Sequence, residues 1–406
     1  MEALQRAEPL IRPFDEPSRP SVAVRPSGAF RVVQAAVEVR PVSSSADLAA
    51  FVDFPWQIYA GHPNWAPPLK ADVRRLLDTK QHPFWQFSQR ELLLARRGRE
   101  VVGRIAAIVD HNHNQRHGEQ AGVFGFFECR DDREAAAGLF RTAEDWLRER
   151  GMTRVRGPLN PSLNYEVGLL VEGHQHPATL MMPYQPQYYQ RLVEGCGFEK
   201  EKDLLAFLLR KHDRPSERLI KIADRVRKQG NYHIRSADMR RFDEEIELVR
   251  QLYNACWADE WNFVPMTDGE VDEMARNLRR IVDPELILFF YQGDEPVGIC
   301  MVLPDVNPLL RRLNGRIGLV GAVKYLWHRR DPCGLRGLII GFRPEHLKRG
   351  LPLLAFERLN QIVRQSPKYE FLELGWNLED KREINNFDAE MGARQHKRMR
   401  IYRKTL

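Results

Sequence analysis

The chain is short of cysteine, with five in 406 residues. Cys129, Cys196, Cys256, Cys300 and Cys333 are odd in number, far apart and without a CxxC pair, so they outline neither a disulfide framework nor a zinc site. A reducing compartment and a cytoplasmic location are the expectation. Long apolar runs are missing too. No window approaches the roughly 18 apolar residues of a membrane span, and the first residues hold no apolar signal core, so any membrane contact is expected to be peripheral, on the inner face. An RNP-like strand, a zinc knuckle and a GXXG loop are also absent, which leaves nucleic acid off the list of expected partners.

What is present is length and positive charge. The chain has room for two or three domains, and a net charge of +7 favours anionic partners, whether CoA phosphates or acidic lipid surfaces. Residues 1–36 mix Pro, Arg, Glu and Ser without periodicity and read as a disordered basic tail.

From Val37 an ordered succession begins. An alternating strand leads to a helix carrying Leu48, Phe51 and Val52, then to the aromatic, Pro-rich segment around Trp56, Tyr59 and Trp65. Glu91–Ala95 and Val101–Val109 form a hairpin across Arg97-Gly98-Arg99. A strand at Gly122–Glu128, an amphipathic helix at Glu134–Arg150, a strand at Val155–Leu159, a short helix at Tyr188–Glu194 and a strand at Leu204–Leu209 complete the run. After a charged joint at Lys211–Pro215 the succession repeats: Tyr232–Ser236, a helix at Phe242–Cys256, another aromatic stretch through Trp261, and a helix opened by a Thr267/Glu270 capping box. A hairpin at Leu286–Tyr291 and Pro296–Leu303 follows, and later Phe371–Gly375, a short helix at Asn385–Met391 and a strand at Met399–Arg403. Tandem repetition of one fold is the reading, with units at 37–210 and 211–406.

The stretch from Leu335 to Arg358 carries the chemistry. Leu338, Ile339 and Ile340 suit a buried strand, and Leu351, Leu354, Ala355 and Leu359 recur at helical spacing. Lys348-Arg349-Gly350 therefore sits at a strand-to-helix turn, where unpartnered first-turn N–H groups and two cations suit a pyrophosphate. The corresponding turn of the first unit, Cys129-Arg130-Asp131-Asp132-Arg133, holds two acids and no Gly, and would hold a diphosphate poorly.

Strand, Pro, basic residues, Gly and amphipathic helix resemble the acyl-CoA-binding turn of the GNAT N-acyltransferase superfamily. Phe54-Pro55-Trp56, Gly103-Arg104-Ile105-Ala106-Ala107, Arg156-Gly157-Pro158-Leu159-Asn160-Pro161-Ser162, Pro183-Tyr184 and Lys397-Arg398-Met399-Arg400-Ile401-Tyr402 resemble, more narrowly, a family of large bacterial GNAT-like acyltransferases. That family includes proteins similar to the bacterial ceramide synthase. The resemblance implies an α/β (α+β) fold of two tandem GNAT-like domains, with mixed, mostly antiparallel sheets flanked by helices and a degenerate CoA site in the first. It implies an acyl-CoA N-acyltransferase with acyl-CoA as cosubstrate and an amine acceptor, a sphingoid-base-like lipid being favoured. A non-catalytic scaffold or acyl-CoA sensor is the alternative.

On this reading Ile340, Gly341, Phe342, Lys348, Arg349, Gly350 and Leu351 hold the cosubstrate, and Glu373, His346, Asn377 and Tyr402 are the candidates for proton transfer and orientation. The family's Tyr before the last helix ends is replaced here by Asp388, so that role is not carried over. Asp110-His111-Asn112-His113 with His117 reads as a polar turn; a third ligand is not spaced as zinc requires, and no metal is expected. The insert 307–332 has no acid between Asp305 and Asp331 and interleaves Leu and Trp327 with Arg and Lys. Two readings stand for it: contact with an anionic membrane, or a long loop packing its Leu face on its own domain.

Overall fold

The alternating stretches become strands, and nearly all of them meet in one sheet. The computed structural model describes residues 35–229, 231–317, 323, 327, 333–347 and 350–406. The expected tail lies outside the described residues, as do Lys348, Arg349 and most of 318–332.

The first run comprises β1 (Val37–Pro41), α1 (Ser45–Asp53), α2 (Pro55–Ile58), α3 (Lys70–Leu77), β2 (Ser88–Arg97), β3 (Glu100–Asp110), α4 (His111–His117), β4 (Ala121–Cys129), α5 (Arg133–Arg148) and β5 (Arg154–Gly157). Three short strands follow, β6 (Leu159–Asn160), β7 (Glu166–Val167) and β8 (Leu169–Glu172), then α6 (Tyr188–Gly195) and β9 (Glu199–Arg210). The second run comprises α7 (Glu217–Gln229), β10 (Tyr232–Ser236), α8 (Phe242–Trp257), α9 (Asp268–Leu278), β11 (Ile287–Gln292), β12 (Glu295–Pro304), α10 (Asn307–Leu313) and β13 (Cys333–Phe342). It closes with α11 (Pro344–Leu347), α12 (Leu351–Gln365), β14 (Tyr369–Leu378), α13 (Arg382–Glu390) and β15 (Arg394–Thr405).

Strand order across the sheet is β1-β2-β3-β4-β5-β15-β9-β14-β13-β12-β11-β10, with β8 also paired to β15. The two runs thus mirror each other about the β15–β9 pair. Their closing strands are exchanged: β9, at the end of the first run, pairs with β14, and the carboxy-terminal β15 pairs with β5. Pairing is antiparallel except for β4 with β5 and β13 with β14.

Helices cover both faces. On α5 the inward positions Ala136, Leu139, Phe140, Ala143 and Leu147 are buried against Phe124 and Phe127, and on α12 Leu351, Leu354, Ala355 and Leu359 form the equivalent stripe. Each fully buried Leu or Phe contributes about 1.5–3 kcal/mol. Thr267 opens α9 with the expected capping box: Glu270 N donates to Thr267 Oγ1 at 3.3 Å and Thr267 N to Glu270 Oε2 at 3.0 Å. One expectation is corrected. His111–His117 is a helix rather than a polar turn, because Asp110 caps it by accepting from His113 N and Asn114 is tied at both ends of its amide to Ala121.

Candidate acyl-transfer site

Parallel pairing between β13 and β14 extends only from Cys333 with Tyr369 to Arg336 with Glu373. Beyond it β14 follows β9, with Leu374 opposite Phe207 and Leu378 opposite Leu204, while β13 stays with β12 as far as Phe342. The strands therefore diverge, and the sheet has a wedge between residues 337–342 and 374–378. This wedge opens into a cavity of about 1000 Å³.

The cavity wall is largely apolar. Strands contribute Leu338, Ile339, Ile340, Phe342 and Leu374; α8 contributes Val249, Tyr253 and Trp257; α9 contributes Met274 and Leu278. Leu163, Asn164, Tyr165 and Met181, from the first run, close one side. Tyr253 donates to Asn164 Oδ1 at 2.9 Å, which ties α8 to that side. At Gly341 a Cβ would collide with the Trp257 ring, so only glycine lets α8 lie this close to β13. The cavity also reaches Pro344, Leu347, Pro352 and Phe356, at the strand-to-helix turn.

That turn enters α12 through Gly350 at φ +80°, and among the described residues no side chain is seen to cap the first turn. Its counterpart in the first run is closed. There Asp132 accepts from Glu134 N and Ala135 N at 3.0 and 3.1 Å and pairs with Arg97 at 2.8 Å, so an acid already occupies the place an anion would take. The β4–β5 divergence is filled as well. Phe126 N donates to Asn160 Oδ1 at 2.6 Å, and a Cβ on Gly125 would collide with the Leu159 carbonyl.

Of the residues singled out from the sequence, Ile340, Phe342 and Asn377 line the cavity; Gly341 and Gly350 do not, Gly341 packing on Trp257 and Gly350 on Val226. Leu351 is fully buried in the first turn of α12. Lys348 and Arg349 lie outside the described residues. Glu373, His346 and Tyr402 are not part of the cavity wall. Glu373 is 1 % exposed and takes donors from Thr179 Oγ1 and Lys397 Nζ, both at 2.9 Å, with His396 Nε2 at 3.1 Å. Burial raises its carboxyl, but His396 and Lys397 outweigh burial and hold it at about 2. His346 is buried with Nδ1 3.4 Å from the Tyr232 hydroxyl. Tyr402 is buried beside β5 and donates to Glu194 Oε1 at 3.1 Å.

One cavity residue was passed over in the sequence. Asp388, 4 % exposed, lines the cavity and accepts from Asn377 Nδ2 at 2.8 Å. Burial pushes its carboxyl up to about 7, against the pull of the Asn377 hydrogen bond. The available signal was helical spacing: Ile384, Phe387 and Asp388 fall on one stripe of α13, which places an acid on an apolar face. Arg336, at the base of the wedge, is 3 % exposed; burial lowers it to about 10. Among the described residues no group of three or more His, Cys, Asp or Glu is placed to hold a metal ion.

No family model matches the chain. It is 33% identical over 387 residues to the bacterial ceramide synthase of Caulobacter vibrioides (strain NA1000 / CB15N), covering 93% of this chain and 100% of that protein. It is 33% identical over 380 residues to Protein YghO of Escherichia coli (strain K12), covering 91% of this chain and 95% of the relative. Among solved structures, a tandem GNAT protein from the clavulanic acid biosynthesis pathway matches with a TM-score of 0.52 at 14% identity, over 91% of this chain and 98% of that one. The GCN5-related glucosamine N-acetyltransferase region of a fungal multi-domain GH3 beta-N-acetylglucosaminidase matches with a TM-score of 0.54 at 12% identity, over 92% of this chain and 38% of that one. At these identities the likeness is one of fold, and the fold is that of tandem GNAT proteins.

Proposed function

Because the chain belongs to the family of the bacterial ceramide synthase and Protein YghO, we propose that it is an acyl-CoA-dependent N-acyltransferase that moves a fatty acyl group to the amine of a sphingoid-base-like lipid. The carrying observation is the wedge between β13 and β14 opening into an apolar cavity of about 1000 Å³. Small-molecule sites run to about 300–1,000 Å³, so this one is at the roomy end, as a long hydrocarbon chain needs.

The reading assigns each part a task. Main-chain groups of β13 beyond Arg336 have no pairing with β14, and an extended pantetheine arm lies along that edge. Backbone N–H groups at Gly337–Phe342 polarise the thioester carbonyl. The uncapped first turn of α12 at Gly350, with Lys348 and Arg349 next to it in sequence, takes the pyrophosphate. Hydrocarbon is covered by α8 and α9, and it enters between Leu347 and Ile384, which line the cavity yet stay 49% and 47% exposed. The filled β4–β5 divergence and the Asp132 cap support a first domain that binds no CoA.

The test is thiol release from palmitoyl-CoA with a panel of amines that includes sphinganine. Turnover with the long-chain amine is expected. No turnover with any amine, alongside tight palmitoyl-CoA binding, would leave the sensor reading standing instead. In calorimetry, Lys348→Glu with Arg349→Glu is expected to weaken palmitoyl-CoA binding at least tenfold, and unchanged affinity would remove the pyrophosphate site.

A further inference from the structure

Resting on that reading, we propose that Asp388 is the base that takes the proton from the acceptor's ammonium, and that Asn377 is its positioning residue. The assignment comes first from position. Asp388 sits on the inward stripe of α13 with Phe387, whose ring packs 5.4 Å from Phe356 and fixes that helix against α12. Asn377 lies at the end of β14, on the diverging edge of the wedge where the thioester is placed. Its amide donates to Asp388 Oδ2, so the second carboxyl oxygen is left to accept from a substrate nitrogen.

Elimination narrows the choice further. The other acids on this wall are occupied: Glu245 is forked by Arg235 at 2.7 and 3.0 Å, Glu260 holds Lys381 at 2.8 Å, and Asp380 holds Lys202 at 2.8 Å. Glu383 is exposed. Of the cations on this wall, Lys381 holds Glu260, Arg250 is bound to Asp268 at 3.0 Å, Arg336 lies beside Glu373, Arg279 stands over the Phe242 ring and Arg382 is exposed, and among the described residues no cation is within ion-pair distance of Asp388. A buried carboxyl without a cation titrates high, and this one at about 7 is matched to work near neutral pH.

The step balances. The ammonium gives one proton to the Asp388 carboxylate, and the freed nitrogen lone pair forms the C–N bond at the thioester carbon. The tetrahedral adduct collapses with cleavage of C–S. Asp388 returns its proton to the departing sulfur, and the second nitrogen proton passes to solvent. Thioester and ammonium thus become amide, thiol and one released proton.

The experiment is full-length Asp388→Asn assayed with palmitoyl-CoA and sphinganine beside the unaltered protein. Expected are a loss of at least about 100-fold in kcat, within the range of general-base catalysis, unchanged palmitoyl-CoA affinity by calorimetry, and a melting temperature that does not fall. The last point separates catalysis from structure, because a carboxyl raised by burial destabilises the fold when charged, and asparagine removes that charge. In the unaltered protein kcat/KM is expected to fall as pH drops through about 7; in the variant that limb moves up toward the pKa of the amine itself. A variant within threefold of the parent overturns the assignment. Should Asp388→Asn not fold, a flat profile between pH 5.5 and 8 in the unaltered protein overturns it equally. If the unaltered protein turns over no amine, the underlying transferase reading fails instead.

Discussion

At the scale of single residues, the buried carboxyls differ in whether a cation holds them: Glu373 has one, and Asp388 accepts only from the Asn377 amide among the described residues. Glu373 is held by Thr179, Lys397 and His396 across three segments of the chain, and Lys397 itself donates onward to the Pro177 carbonyl at 2.8 Å. Removing one member of such a pair leaves the other charge buried, so Glu373→Gln is expected to destabilise the protein by about 3–5 kcal/mol, measured by urea denaturation. The pH dependence has a definite sign. Its folded carboxyl at about 2 lies below the ordinary glutamate value, so its contribution is full above about pH 4.5 and fades as pH falls toward 2. In Glu373→Gln that part of acid sensitivity should disappear. Asp388 behaves oppositely, since burial raises its carboxyl, and the catalytic use proposed for it would account for a buried acid held only by the Asn377 amide.

At the scale of elements, the two strand-to-helix turns show how one architecture is opened or shut. Asp132 shuts the first; at the second, Gly350 takes a left-handed backbone and, among the described residues, no side chain is seen to cap the turn. Gly350→Val meets both obstacles at once, a disfavoured φ and the Val226 side chain within 2.6 Å of the new Cβ. We predict weakening of palmitoyl-CoA binding by at least fivefold, read by calorimetry. The insert is the other informative element. Of its described residues, Ile317, Val323 and Trp327 are 59%, 55% and 79% exposed, in a stretch with Arg312 and Arg316 and no acid. We propose that it rests on an anionic bilayer. Trp327→Ser is therefore expected to reduce co-sedimentation with phosphatidylglycerol vesicles severalfold, and an unaltered bound fraction would favour the loop reading. No helix among the described residues is long and apolar enough to cross a membrane.

At the scale of the whole molecule, the exchange of β9 and β15 makes the two runs depend on each other. A chain ending at residue 210 would leave β5 without β15 and β9 without β14. Residues 37–210 alone are expected to be insoluble, whereas the two pieces produced together should copurify through the β15–β9 pairing; a soluble, cooperatively melting first piece would contradict this. Much of the order of elements was readable because hairpins, capping boxes and amphipathic stripes are local: Gly98 marks the β2–β3 turn and Thr267 with Glu270 marks the start of α9, whereas α7 was not anticipated. Nor was the exchange. Strand periodicity says which face a residue takes and nothing about which neighbour it pairs with. Within the site, the turn at Gly350 was visible as a motif. Asp388 was hidden because it stood where the family has Tyr, and its burial depends on Asn377 and on helices far away in sequence.

In the proposed reading the thioester lies between the diverging ends of β13 and β14. A crystal structure with a thioether analogue of palmitoyl-CoA, which cannot transfer its chain, tests it most directly. The sulfur is expected between residues 337–342 and 374–378, the hydrocarbon against Val249, Met274 and Leu278, and the diphosphate at Gly350. An analogue seated at the β4–β5 divergence, or outside the cavity altogether, would contradict it.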